Sequence, residues 1–309
     1  MTGKRPFRFG VQGRATATGA EWIAKARKAE DLGYDTFLVP DHFPRGLGPV
    51  AALAVAATAT TRLRVGTFVF DNDFRHPVVL AKEVATLDML SGGRFELGIG
   101  AGWFREEYEQ AGMPFDPPGV RIRRLDESIQ VLKSLFTGEP VHFSGAFYTL
   151  NGLAPVPRPA QQPHPPILIG GGSRRILSLA ARVGDIIGLG PQARADGTID
   201  PLSVSEAATR QKLAWIREAN PAADTRELNI FVYGVTATDN PRAVAEPIAA
   251  ELELPVDDLL NSPHFLFGSV DSMVETLQAR REEYNLSYIV VPEDQIDHLA
   301  PLIARLAGK

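Results

Sequence analysis

Eight short apolar runs, separated by segments of helical periodicity, predict an α/β fold whose parallel strands close into a (β/α)8 (TIM) barrel with loop insertions at its carboxyl-terminal mouth. Three observations carry this expectation. The runs are apolar throughout rather than alternating, as in strands buried on both faces. The segments between them place apolar residues at helical spacing. At 309 residues the chain has the length of one barrel, so residues 1–309 read as a single domain. An open doubly wound sheet is the alternative.

The elements follow in order. FRFGVQ (7–12) is the first strand. A helix over 21–32 follows, with Trp22, Ala26, Ala29 and Leu32 on one face and Gly33 as its stop. TFLVP (36–40) is the second strand, VAALAVAATATT (50–61) a buried helix, and RVGTFVF (64–70) the third strand. VVLAKEVATLDML (78–90) is a helix closed by Ser91, Gly92 and Gly93, and FELGIG (95–100) is the fourth strand. Leu125, Ile129, Leu132 and Leu135 mark the next helix. ILIG (167–170), IIGL (186–189), NIFVYGV (229–235) and YIVV (288–291) complete the strands, and LAPLIARL (299–306) is the last helix. Three stretches depart from the repeat: 104–123 with MPFDPPG, the proline-rich 138–166, and the polar 190–203. They are expected to be insertions over one mouth of the barrel.

Composition narrows the class. The chain is 44% hydrophobic and 22% charged, enough apolar residue for a large core, and its net charge is −5 with no long basic stretch. Nucleic acid is therefore not an expected partner. The absence of cysteine excludes disulfides, thiolate metal sites and cysteine nucleophiles. No histidines show the i, i+4 spacing of a helical metal pair, so no metal is expected. The amino terminus, MTGKRPFRFG, has no apolar core of signal-peptide length, and no segment has the length of a membrane span. A cytoplasmic enzyme, with no membrane association, is the expectation.

Four motifs fall at strand ends. RFELGIGAGWFREEY (94–108) places Gly98, Gly100 and Gly102 at alternate positions. A dinucleotide fingerprint needs a glycine at 103, where Trp103 stands, and belongs at the first strand rather than the fourth. At the mouth of a barrel, Gly100 and Gly102 would instead let a flat ring approach the backbone; a tight strand-to-loop turn explains them equally well. Asp41 and His42 end strand two, and such a pair can relay a proton or make an ordinary structural hydrogen bond. Asp71, Asn72 and Asp73 leave strand three as polar turn chemistry or as mouth residues. Strand five ends in Gly170, Gly171, Gly172 and Ser173 directly before a helix. Four small residues exceed what a serine cap needs and favour an anion site at the helix amino end, with Arg174 and Arg175 adding charge.

In their order and spacing these motifs resemble the luciferase-like monooxygenase superfamily, in its branch of deazaflavin (coenzyme F420)-dependent oxidoreductases. The resemblance runs nearly the whole length. PDHF (40–43), VGTFVF with NDFRHPVVLAKEVATLDMLSGGR (65–94), and LGIGAGWFREEYEQAGMPFDPPGVRIRRLDESI (97–129) carry it, together with GGGSRRILSLAARVGD and GSVDSMVETLQARREEYNLSYIVV. It implies a bulge in strand three with a non-proline cis peptide at Phe68–Val69 backing a tricyclic ring. Phe68, Val69, Asn72 and Tyr108 would frame that ring, and Gly171, Gly172 and Ser173 would hold a phosphate. His42 would give or take a proton, with Asp41 orienting it or touching the cofactor.

Sugar-phosphate dehydrogenases of the branch carry an acid after the strand-four glycines, where this chain has Trp103. That departure points to an apolar or aromatic substrate pocketed by Trp103 and Phe104. Phe115, Phe143, Phe147 and Tyr148 are candidates to extend the pocket, or else core residues. The implied activity is hydride transfer between the deazaflavin C5 carbon and a small organic molecule. An FMN-dependent monooxygenase on the same fold and a non-catalytic flavin- or deazaflavin-binding protein are the alternatives. The deazaflavin tail carries several carboxylates, so Arg45, Arg105 and Arg174 at the mouth would favour F420. The expected partners are the small-molecule substrate and a second copy of the chain, as a homodimer.

Overall fold

The structure is a computed structural model that describes residues 4–194 and 198–309. Eight parallel strands form a closed barrel: β1 Arg8–Gln12, β2 Thr36–Val39, β3 Arg64–Thr67, β4 Phe95–Gly100, β5 Ile167–Gly171, β6 Ile186–Leu189, β7 Glu227–Phe231 and β8 Leu286–Pro292. Each pairs with its neighbour in sequence, and β8 closes on β1 with Phe9 opposite Ile289. The main helices around it are α1 Gly19–Asp31, α2 Pro49–Ala59, α3 Pro77–Leu90, α4 Pro118–Phe136, α5 Arg174–Val183, α6 Glu206–Ala219, α7 Val270–Tyr284 and α8 Ile296–Leu306. Local chemistry sets their starts. The Thr18 hydroxyl accepts the Glu21 N–H at the head of α1, and α2, α3 and α4 each begin on a proline. Among the described residues, no helix is long and apolar enough to cross a membrane.

Both faces of the sheet are buried, which is why the strands read as unbroken apolar runs. Outward residues such as Phe9, Phe37, Val65, Phe95, Ile99, Ile167 and Ile187 join the helices in the main core. Inward residues fill the barrel in layers. The lowest layer is ionic. Arg8 donates to Glu96, to Glu227 at 2.7 Å and to the Thr36 hydroxyl, while Arg64 reaches Glu96 at 2.6 Å. Burial opposes ionisation of Glu96, but Arg8 and Arg64 outweigh it and hold its carboxyl below the usual range. Above this layer sit Leu38, Leu168, Ile186, Tyr288 and Val290, with Phe68, Val69 and Phe231 packed on top.

Strand three is interrupted, as the resemblance implied. Phe68–Val69 is cis, and pairing resumes at Phe70–Asp71 one residue out of step: Val65 faces Phe95, whereas Phe70 faces Ile99. Glycines of β4 receive this irregular strand. A Cβ at Gly98 would lie inside the Thr67 carbonyl oxygen, and one at Gly100 would lie 2.9 Å from a Val69 methyl. The Thr67 hydroxyl bridges the gap, donating to the Gly98 carbonyl at 2.7 Å and accepting its N–H at 3.0 Å.

The three expected insertions fare differently. Residues 104–123 are only partly loop, since a helix runs over Arg105–Gln110 and α4 begins at Pro118. Residues 138–166 do not cover the mouth. They link the end of α4 to the start of β5 and so begin and end at the opposite rim, where Gln161 binds Arg64, Asp88 and the Phe95 carbonyl. They contain an antiparallel hairpin, Val141–Ser144 with Thr149–Leu153, whose tip is held beside α4 by the Glu127 carboxylate. The prolines exclude a helix here but leave a hairpin open. Within 190–203, residues 195–197 lie outside the described residues, and the rest follow β6 at the mouth.

A fourth insertion was not foreseen. The run read as a strand to 235 stops at Phe231. Residues 232–268 then form a parallel pair, Gly234–Ala237 with Phe265–Gly268, and helices Pro241–Glu251 and Val256–Asn261 around a small core of their own. Asn240 before Pro241 was the available signal, since its side chain accepts the Ala243 N–H.

The packing of β3 on β4 predicts that Gly98→Ala, which must displace backbone, lowers stability by about 1–3 kcal/mol or more. Gly19→Ala, whose Cβ meets nothing within 4 Å, should be near neutral. Thermal unfolding of the two variants checks this, and equal midpoints would contradict the packing argument.

Candidate active site

The carboxyl ends of the strands surround one deep cavity of about 1410 Å³. Its lining includes Asp41, His42, Phe68, Val69, Gly100, Gly102, Trp103, Gly171, Gly172 and Ser173, so ten of the expected site residues meet in one place. Phe115 and the arginines Arg45, Arg105 and Arg174 line it as well. Val69 rises from the interrupted strand at the floor, with Phe68 and Phe231 stacked beside it at 5.8 Å.

Asn72, Tyr108 and Phe104 are not in the lining. Asn72 and Tyr108 are buried behind it, and Phe104 stands near His42 and Trp103 at ring distances of 6.3 and 5.4 Å. Phe143, Phe147 and Tyr148 belong to the hairpin beside α4 and pack against the main core. They do not extend the cavity.

The Asp41–His42 pair is not a dyad. The Asp41 carboxylate turns to Arg75, at 2.5 and 3.3 Å, and accepts the Asp71 N–H. His42 Nδ1 instead lies 3.0 and 3.2 Å from the two oxygens of Glu107, which also accepts the Phe43 N–H at 3.1 Å. With the carboxylate accepting Nδ1–H, Nε2 is the nitrogen available for proton exchange. Glu107 was missed because REEY offers two adjacent glutamates, and only the docked helix shows which faces His42. The signal was its place beside Tyr108. These two are the buried residues of helix Arg105–Gln110.

Asp71 anchors that helix. The Tyr108 hydroxyl reaches both Asp71 oxygens, at 2.8 and 2.7 Å, and the Asp73 N–H adds a third bond. Gly102, at φ +72°, leaves room for this contact: a Cβ there would collide with both Asp71 and the Tyr108 hydroxyl. Gly100 and Gly102 therefore accommodate neighbouring side chains of the protein, a demand that would exist without any ring. Arg121 completes the turn by donating to the carbonyls of Ala101, Gly102 and Asp116, and it lies 3.8 Å over the Phe115 ring.

At the far end of the cavity, Gly171 ends β5 and Ser173 stands at the N-cap of α5. Its side chain makes no capping bond, so the serine cap anticipated as the simpler explanation is absent. A Cβ at Gly172 would strike the Pro191 carbonyl. The result is a narrow cradle of backbone amides and one uncommitted hydroxyl at a helix amino end, a donor set that suits a phosphate. An aromatic floor at one end and an anion cradle at the other fit a phosphate-bearing flavin-type cofactor.

Burial pushes the Asp71 carboxyl up to about 7. The Tyr108 and Asp73 hydrogen bonds oppose the shift, and the charges of Asp73 and Asp41 add to it. A carboxyl raised in the folded state binds its proton more tightly there than in the unfolded chain, so it costs stability as pH rises from about 4 through 7. Asp71→Asn should therefore gain stability relative to the parent by on the order of 1 kcal/mol or more between pH 5 and pH 8. Paired denaturation curves at the two pH values check this, and a difference that is constant with pH contradicts it.

A family model described as luciferase-like monooxygenase matches residues 4–258. The chain is 30% identical over 234 residues to an FMNH(2)-dependent dimethylsulfone monooxygenase of Pseudomonas putida, covering 74% of this chain and 62% of that one. It is 34% identical over 171 residues to an F420-dependent glucose-6-phosphate dehydrogenase of Amycolatopsis mediterranei, covering 53% and 51%. The matches thus span between about half and two thirds of these curated relatives. In fold it is similar to the coenzyme F420-dependent tetrahydromethanopterin reductase of Methanopyrus kandleri, with TM-score 0.76 and 18% identity over 97% of this chain and 99% of that one. The chain belongs to the luciferase-like monooxygenase family, whose members here include both F420-dependent and FMN-dependent enzymes.

Proposed function

We propose that the protein is an F420-dependent oxidoreductase acting on a small apolar or aromatic molecule. The observation that carries this reading is the charge of the cavity wall. Seven arginines line it (Arg14, Arg45, Arg105, Arg121, Arg174, Arg175 and Arg194) against four carboxylates, and of these arginines Arg14, Arg105, Arg174 and Arg194 also pair with acids outside the lining. A polyanionic tail suits such a wall better than a single phosphate does. When bound, the deazaflavin supplies hydride exchange at C5.

The chain's own residues supply the rest. Gly171, Gly172 and Ser173 hold the phosphate, Val69 backs the ring, and the closed barrel keeps water from its lower face. Glu107 fixes the His42 tautomer, and Nε2 gives or takes the substrate proton. Trp103, Phe115 and Tyr233 offer the substrate an apolar surface. Trp103 does not leave the site without an acid, because Glu107 brings one from four residues further on. The choice of an apolar substrate therefore rests on these rings. The space shared by His42, Trp103 and Val69 weighs against a non-catalytic flavin- or deazaflavin-binding protein.

An FMN-dependent monooxygenase is the second reading. It is favoured by the similarity to the dimethylsulfone enzyme, which covers 74% of this chain. Parallel titrations with F420 and FMN separate the two. The first reading expects tight F420 and weaker FMN binding, and tight FMN binding with none for F420 would overturn it. His42→Ala should keep cofactor affinity and lower turnover by roughly 10²–10⁴-fold. Unchanged turnover removes His42 from the reaction.

A further inference from the structure

Lys212 lies in α6, is 2% exposed, and does not itself line the cavity. Its ammonium donates to the Gly190 carbonyl and to the Ser203 carbonyl, both at 2.7 Å. These carbonyls stand at the two ends of the loop after β6. The loop is tied together near its base: Gln192 N–H donates to the Ser203 hydroxyl at 2.9 Å, and Asp200 N–H to the Gln192 carbonyl at 2.8 Å. Its first residues press on the anion cradle. Gly190 N–H donates to the Gly171 carbonyl at 2.9 Å, and the Pro191 carbonyl fills the space above Gly172.

A buried ammonium is costly, and packing alone would be met better by methionine. Burial pushes Lys212 down to about 8, against the pull of Asp200. Beside it, burial and the Lys212 charge hold His264 down to about 3, so the histidine is neutral and adds no competing cation. An internal charge aimed at two loop carbonyls is explained by the position of the loop.

We infer that Lys212 is a positioning residue for the anionic end of the cofactor: it clamps both ends of the β6–α6 loop and so sets the wall of the Gly171–Ser173 cradle. The inference rests on the reading of that cradle as the phosphate site, and the test separates the two. Affinities of the parent and of Lys212→Met are measured for F420 against its phosphate-free deazaflavin chromophore, and for FMN against riboflavin.

The parent should prefer the phosphate-bearing member of whichever pair it binds. Lys212→Met should lose roughly tenfold or more on that member and little on its phosphate-free partner. Lys212→Arg should recover part of the loss. Ser203→Ala, which removes the hydroxyl's bonds to the Gln192 N–H and the Asp200 carbonyl but leaves Lys212 in place, should show a smaller loss with the same selectivity and serves if Lys212→Met does not fold. Equal losses on both members, or no loss, overturn the role of Lys212. A parent with no preference for phosphate overturns the cradle reading itself.

Discussion

The hydrogen bonds between the Tyr108 hydroxyl and the Asp71 carboxylate, at 2.8 and 2.7 Å, hold the corner of His42 and Glu107 together. Asp71 ends the displaced half of strand three, and its N–H is bound by Asp41 of the neighbouring strand. Tyr108 sits one residue from Glu107, so the depth to which Tyr108 docks sets the reach of Glu107 toward His42. Three strand exits are thus tied through one buried carboxylate. That carboxylate is costly to ionise where it lies, so the arrangement spends stability to fix a geometry.

The interrupted strand is what brings Asp71 to that place. Its one-residue slip lifts Val69 into the barrel mouth and turns Asp71 back toward β4. The slip is possible because β4 offers glycine where the displaced strand comes closest. At the other end of the cavity, Gly172 yields its side-chain space to Pro191 in the same way. In both places glycine serves contact between protein segments, and the ligand space lies next to those contacts.

Much of this was legible in the sequence because it is periodic or local. The eight strands announced themselves as apolar runs, and Gly171–Ser173 before an amphipathic helix already suggested an anion site. What stayed hidden depends on contacts between distant segments. The partner of His42 lies 65 residues away, in a helix six residues long, where periodicity has no purchase. Asp41 seemed the natural partner by adjacency, but neighbouring residues leave a strand end in opposite directions, and Arg75 claimed it. Phe143, Phe147 and Tyr148 looked like pocket aromatics until the hairpin placed them beside α4. The insertion over 232–268 was masked because the apolar run continues past the true end of β7.

The cavity thus has two ends built by different means: the corner of His42 and Glu107, set by Asp71 and Tyr108, and a cradle of backbone amides set by glycine and walled by the loop after β6. A crystal structure of the protein with bound cofactor tests this division most directly. The account predicts a tricyclic ring resting on Val69, its reactive edge toward His42, and phosphate oxygens on the amides of Gly172 and Ser173. A ring seated away from Val69, or a phosphate held elsewhere in the mouth, would contradict it.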